Sequence, residues 1–155
     1  MKRLLVDSAE CSGCRHCEMV CSFHHEVRFS PSLSRVTVVK EDRHGMDYPV
    51  FCRQCEDCPP IATCPTGALS KNGQGSVVVD TDACTGCGTC VEACKYGAVK
   101  LDGRSKPLIC DLCGGSPVCV ERCPTGALRF EESEEPSELP EEVFRELKGR
   151  WGIAG

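Results

Sequence analysis

The sequence predicts an α+β fold, with two pseudo-symmetric modules of short strands and short helices followed by a C-terminal extension. Three observations predict it. The chain carries 16 cysteines in 155 residues, a density at which cysteine acts as a scaffold. Those cysteines fall into repeating groups, and short branched or alternating apolar runs lie beside most of them. With one Trp, two Tyr and five Phe, side-chain packing alone would make a thin core, so cross-links must replace part of the missing apolar burial. The repeat occupies residues 1–130, and residues 131–155 form an acidic linker with a short amphipathic helix.

The cross-links could be disulfides or metal sites. Met1 to Val6 (MKRLLV) is too short for a signal-peptide apolar region, and Asp7 and Glu10 follow at once. No run of about 18 apolar residues occurs that could cross a membrane. The expectation is therefore a cytoplasmic protein without direct membrane insertion, whose thiols are kept reduced and whose clustered cysteines bind metal. The net charge of −5 is uneven: residues 1–130 balance acids and bases, and the excess lies in residues 131–155, where only Arg145, Lys148 and Arg150 oppose the acids. No basic face for nucleic acid is implied.

The 16 thiols form four groups of four. Cys11, Cys14, Cys17 and Cys21 share the spacing C-x2-C-x2-C-x3-C with Cys84, Cys87, Cys90 and Cys94. Cys52, Cys55, Cys58 and Cys64 are separated by 2, 2 and 5 residues, and Cys110, Cys113, Cys119 and Cys123 by 2, 5 and 3. The second and fourth groups end in the same hexapeptide, CPTGAL. C-x2-C-x2-C-x3-C-P is the bacterial ferredoxin run, in which three close thiolates hold one [4Fe-4S] cluster and the fourth reaches the neighbouring cluster. A short loop with cysteine at every third position can wrap three corners of a cubane, while the fourth ligand comes from elsewhere. Small residues between the ligands (Ser12, Gly13, Thr85, Gly86, Gly88, Thr89) let backbone N–H groups approach the sulfurs. Structural zinc is the bland alternative. It calls for pairs of pairs, whereas three groups contain a C-x-x-C-x-x-C triplet. No C-x-x-C-H haem motif occurs.

The stretches CSGCRHCEMVCSFHH, PSLSRVTVV and YPVFCRQCEDCPPIATCPTGAL resemble the four-cluster ferredoxin-like electron-transfer subunits of redox enzymes. The likeness is to the small subunits serving tungsten-containing aldehyde oxidoreductases and benzoyl-CoA reductase complexes. Iron–sulfur subunits of carbon monoxide dehydrogenase, hydrogenases and molybdopterin formate dehydrogenase are similar too. The resemblance covers roughly residues 1–130 and implies ligation that crosses between groups. Cluster one takes Cys11, Cys14, Cys17 and Cys123; cluster two takes Cys52, Cys55, Cys58 and Cys94. Cluster three takes Cys84, Cys87, Cys90 and Cys64, and cluster four takes Cys110, Cys113, Cys119 and Cys21. Groups one and four would then form one module, and groups two and three the other. One departure is visible: many relatives place the third cysteine of the second group where Pro60 stands, and this chain offers Cys58 instead.

Along the chain, Leu4 to Asp7, Arg35 to Lys40, Ser76 to Asp80, Ala98 to Leu101 and Ala127 to Phe130 read as strands. Glu18 to Val20 and Val91 to Ala93 suit helix starts. Ser22 to Phe51 is the longest gap between groups and reads as a hairpin that either docks a partner or shields a cluster. Within it, His24, His25 and His44 read as solvated or backbone-bonded side chains rather than as ligands, and so does His16. Arg15, Arg53, Lys95 and Arg122 stand within or beside the cysteine loops, as tuning charges or as solvated ones. Glu131 to Pro140 reads as an extended linker. In the following EEVFRELKGRW, Val143, Leu147 and Trp151 form a helical stripe that could clip onto a partner or fold back.

Four closed tetrathiolate sites use every cysteine, leaving no open iron position for substrate, and no Walker loop or Rossmann glycine fingerprint occurs. The expectation is a non-catalytic chain with four [4Fe-4S] clusters that relays single electrons. Its partners would be a large tungsto- or molybdopterin-containing catalytic subunit and a ferredoxin or flavin subunit. A freely diffusing polyferredoxin is the alternative.

Overall fold

The computed structural model describes residues 1–136 and 138–153. In chain order the elements are β1 (Lys2–Val6), α1 (His16–Glu26), β2 (Thr37–Glu41), β3 (Met46–Val50), α2 (Pro59–Thr63), β4 (Leu69–Lys71) and β5 (Val77–Val79). There follow α3 (Thr89–Ala93), β6 (Lys100–Leu101), β7 (Pro107–Leu108), α4 (Val118–Glu121), β8 (Leu128–Glu132) and α5 (Pro140–Arg150). A 3-10 turn occupies Pro31–Leu33, and Leu112–Gly115 form a tight turn of positive-φ residues.

The strands form four two-stranded antiparallel sheets among the described residues. Three are hairpins, β2–β3, β4–β5 and β6–β7. The fourth joins the start of the cysteine-bearing body to its end: β1 pairs with β8 in a register running from Lys2 opposite Glu132 to Val6 opposite Leu128. Such small sheets cannot stabilise themselves, so each packs one face inward. Leu4, Val36, Phe51, Leu69, Val77 and Ile109 meet in one core that also contains Cys21, Cys52, Cys110 and Cys119. The cysteines are thus part of the interior and not an addition to its surface.

α1 lies against α4, and α2 against α3. The sequence offers no strand signal for β3, β4 or β7. Met46–Val50 carries Asp47 and Pro49 and so breaks apolar alternation, yet all five of its residues are buried. Pro49 is tolerated because a two-stranded sheet has only edge strands. The long gap before Phe51 therefore holds both an extension of α1 to Glu26 and a hairpin whose second strand is interior.

The C-terminal segment folds back on the body. Val143 and Leu147 are buried with Met46, Tyr48 and Val50 in a second apolar cluster. Pro140 takes the first helical position of α5, and Glu142 Oε2 accepts the Leu139 N–H at 2.8 Å. Trp151 departs from the expected stripe and is 45% exposed. The helix ends at Arg150, and Gly152, at φ 67°, turns the chain away before another helical turn can bring Trp151 inward. The segment before α5 begins inside β8 and is then tied down: Glu135 Oε2 accepts the Glu56 N–H at 2.8 Å, and Tyr96 donates to the Pro136 carbonyl.

Candidate iron–sulfur centres

Each cysteine group sits on a loop that runs into a short helix or turn. In the first, Cys11 and Cys14 lie on the loop, while Cys17 and Cys21 lie on α1, one turn apart along it. Gly13, Arg15 and Gln54 have φ of 64°, 60° and 55°, and Cys113 has φ of 49°. Where left-handed residues alternate with ordinary ones, as at Gly13, Cys14 and Arg15, successive N–H groups turn toward one concavity, the backbone arrangement that holds anions, whereas Cys113 sits in an unbroken run of positive φ from Leu112 to Gly115. Donors do reach the sulfurs. The Gly86 N–H points to Cys84 Sγ at 3.4 Å, and the Arg35 N–H to Cys21 Sγ at 3.3 Å. Thr66 and Thr125 hydroxyls stand 3.7 Å from Cys64 and Cys123, at matching places in the two CPTGAL segments.

The thiols converge across groups as well as within them. Cys52, Cys55 and Cys58 line one cavity together with Cys94. Cys84, Cys87 and Cys90 line another together with Cys64. Burial pushes the Cys52 thiol up to about 12, with Cys58, Cys94 and Cys55 adding to the rise. Cys119 is also pushed up to about 12 by burial, reinforced by Cys21, Cys113 and Cys17. Burial raises Cys11, and Asp47, Cys14 and Cys123 contribute in the same direction. Such crowded thiols cannot all ionise unless a cation compensates them, which is the condition a metal cluster meets. The donor set, sulfur alone in sets of four, fits [4Fe-4S] iron; Cys58 lines the cavity in which a third group-two ligand is needed.

Two features were not legible in the sequence. His25 is backbone-bonded as expected, its Nδ1 lying 2.9 Å from the Cys21 carbonyl, but its Nε2 also stands 3.1 Å from Asp111 Oδ1, a partner the sequence does not signal. Burial opposes its charge, but Asp111 and Cys21 outweigh that and raise it to about 9. Asp111 in turn accepts from Arg35 at 2.7 Å. His24, His25 and Cys113 bring ligand atoms within 4.8 Å of one another, a proximity that the adjacent histidines give only once α1 continues past Cys21. His44 bonds Glu41 at 2.7 Å, away from the cysteines. The second feature is Arg53, which is 5% exposed, whereas Arg15 and Arg122 are largely in solvent.

Fold and thiol arrangement together define a small mixed helix–strand domain of the ferredoxin-like iron–sulfur class. The chain belongs to the 4Fe-4S dicluster domain family, which matches residues 44–133. It is 44% identical over 110 residues to the aliphatic sulfonate oxidoreductase, polyferredoxin-like subunit of Pyrococcus furiosus, covering 70% of this chain and 63% of that one. It is 38% identical over 105 residues to the electron transport protein HydN of Escherichia coli K12, covering 63% of this chain and 58% of that one. The chain thus spans about three-fifths of the length of these relatives. Among solved structures, a chain of the active site complex BamBC of benzoyl coenzyme A reductase aligns at TM-score 0.53 and 26% identity, covering 99% of this chain and 92% of that one. The 16 cysteines fit four [4Fe-4S] clusters. No helix among the described residues is long and apolar enough to cross a membrane.

Proposed function

We propose that the protein is a non-catalytic electron-transfer subunit carrying four [4Fe-4S] clusters and relaying single electrons between a catalytic oxidoreductase subunit and a second redox partner. The observation that carries this reading is the distribution of the thiols: all 16 belong to one of four groups, and Cys94 and Cys64 each share a cavity with three cysteines of another group. When bound, each cluster supplies one centre that takes up and gives back a single electron. The chain's own part is to hold the thiolates, to aim N–H groups at them and to keep water away from the buried ones.

The ligand sets are Cys11, Cys14, Cys17, Cys123; Cys52, Cys55, Cys58, Cys94; Cys84, Cys87, Cys90, Cys64; and Cys110, Cys113, Cys119, Cys21. The placing of Cys21 near Cys110, Cys113 and Cys119 supports the last set. The packing of α1 on α4 and of α2 on α3 supports two pseudo-symmetric modules. A chain of this length has a radius of gyration of about 15 Å, so neighbouring centres lie within tunnelling reach. The catalytic partner is an oxidoreductase subunit, in line with the names of the relatives; its tungsto- or molybdopterin character rests on the sequence resemblance alone, and the setting is cytoplasmic. Gentle anaerobic purification of the tagged chain tests the assignment: a large redox subunit should co-purify and reduce the chain on addition of its substrate. Isolation as a free chain that exchanges electrons only by diffusion would replace the subunit reading with that of a soluble shuttle.

A further inference from the structure

The loop between Cys52 and Cys55 carries two buried guanidinium groups. Arg53 is 5% and Arg3 4% exposed. Arg3 donates from one Nη to the carbonyls of Arg53 and Gln54, at 2.8 and 2.9 Å. Arg53 donates to the Tyr48 hydroxyl and stands over the rings of Tyr48, Phe51 and Tyr96 at 5.6, 5.2 and 5.7 Å. Neither has a carboxylate within ion-pair distance among the described residues. Arg3 Nε has no hydrogen-bond partner among the described residues. A buried cation is costly unless an anion compensates it.

Asp57 and Glu135 are the acidic residues on the wall of the adjacent cysteine cavity; Glu135 is bound to the Glu56 N–H and attracts Arg3 from beyond ion-pair distance, and neither carboxylate pairs with Arg53. Cations near the other groups differ: Arg15 is 46% and Arg122 64% exposed, and Arg35 is already paired with Asp111. Exposed charges are screened by salt and solvent, and buried ones far less.

We propose that Arg53, assisted by Arg3, is a tuning residue whose buried, unpaired charge raises the reduction potential of the cluster held by the Cys52–Cys55 loop. The inference rests on the iron–sulfur reading above, but not on the crossed ligand sets, because Cys52 and Cys55 flank Arg53 whether the fourth ligand comes from another group or from their own. Added electrons increase the negative charge on a tetrathiolate cluster, so a fixed cation stabilises the reduced form more than the oxidised one. The three aromatic rings hold the guanidinium in a low-dielectric cage, where that preference is strongest.

The test is a mediated dithionite titration of the full chain followed by electron paramagnetic resonance, with iron content measured in parallel. Cys55→Ser identifies the signal belonging to this loop. Arg53→Gln should move that signal alone to more negative potential, by about tenfold in its one-electron reduction constant, which is about 59 mV. Arg53→Lys should keep it near the parent value. Ser8→Asp places a carboxylate on the wall of a cavity that Arg53 also lines, lies outside the Cys52–Cys55 loop, and should move the same signal the same way if Arg53→Gln loses iron. Full iron with that signal unmoved in Arg53→Gln, or in Ser8→Asp where the first variant loses iron, would overturn the inference, as would equal shifts of all four signals. A parent chain that binds no iron would overturn the functional reading as well, so the two failures are distinguishable.

Discussion

Gln54 bridges two cysteine loops through Cys110: its Nε2 donates to the Cys110 carbonyl at 2.7 Å, while its Oε1 accepts the Val77 N–H at 2.7 Å. Gln54 is 1% exposed, so both backbone groups would be orphaned by an apolar replacement. Each unsatisfied buried group costs about 1–3 kcal/mol. Gln54→Leu should therefore destabilise the cluster-loaded chain by about 2–4 kcal/mol, read as a lower denaturation midpoint with unchanged slope. Gln54→Glu, which keeps the acceptor for Val77 but faces Cys110 with an oxygen, should remain below the parent.

Gly13 packs against Asp47 so closely that a Cβ there would lie 2.3 Å from the carboxylate, which is itself held by Lys40 at 2.8 Å. Its φ of 64° adds a conformational penalty for any other residue. Gly13→Ala should displace the Cys11–Cys14 loop and lower the iron content of the chain by one cluster's share. Gly67→Ala, which meets nothing within 4 Å although its φ is 66°, should retain full iron and show only the backbone effect.

Asp102 organises the β6–β7 turn, accepting the N–H groups of Arg104 and Lys106 at 2.8 and 2.9 Å. Lys106 then reaches the carbonyls of Thr81 and Cys84, steadying the third cysteine loop. The Lys106 N–H holds the Asp102 carboxyl below its usual range, helped by the Arg104 backbone and side chain and opposed by burial. A depressed folded value means that this stabilisation is complete above the ordinary carboxylate range and is lost as pH falls through the lower folded value. Asp102→Ala should cost about 1 kcal/mol at neutral pH, and the gap from the parent should close in acid. Thermal unfolding of the two chains across that range checks it.

Cys21 separates crossed ligation from ligation within each group. Its thiol is lowered: burial acts against this, but hydrogen bonds from His25, the Arg35 backbone and Ser34 prevail. Cys21→Ser should perturb the cluster held by Cys110, Cys113 and Cys119 and spare the one held by Cys11, Cys14 and Cys17. Resonance signals assigned with Cys11→Ser and Cys110→Ser decide between the two.

What the sequence discloses here follows from spacing. Cysteine intervals depend on local chain geometry, so the four groups and their iron–sulfur chemistry could be read directly, as could β1, β5 and the presence of α3, although that helix begins at Thr89 and ends where Val91 to Ala93 suggest a start. β3 could not, because Asp47 serves the Lys40 ion pair and the Gly13 contact while Pro49 serves an edge position, and together they erase strand alternation. His25 and Arg53 share that difficulty. Each takes its role from residues distant in sequence, Asp111 for one and Tyr96 and the Glu138 carbonyl for the other. The inward face of α5 was readable in Val143 and Leu147, but not which surface it would cover, since an amphipathic stripe names no partner.

Iron and acid-labile sulfide analysis of the anaerobically purified chain tests the central claim most directly. The account predicts a brown protein with about 16 irons and about 16 sulfides per chain, four of each for every cubane. Removing the iron should unfold it, because ligand binding supplies much of its folding free energy. A colourless, iron-free chain that stays folded, or one holding about four zinc ions, would contradict it.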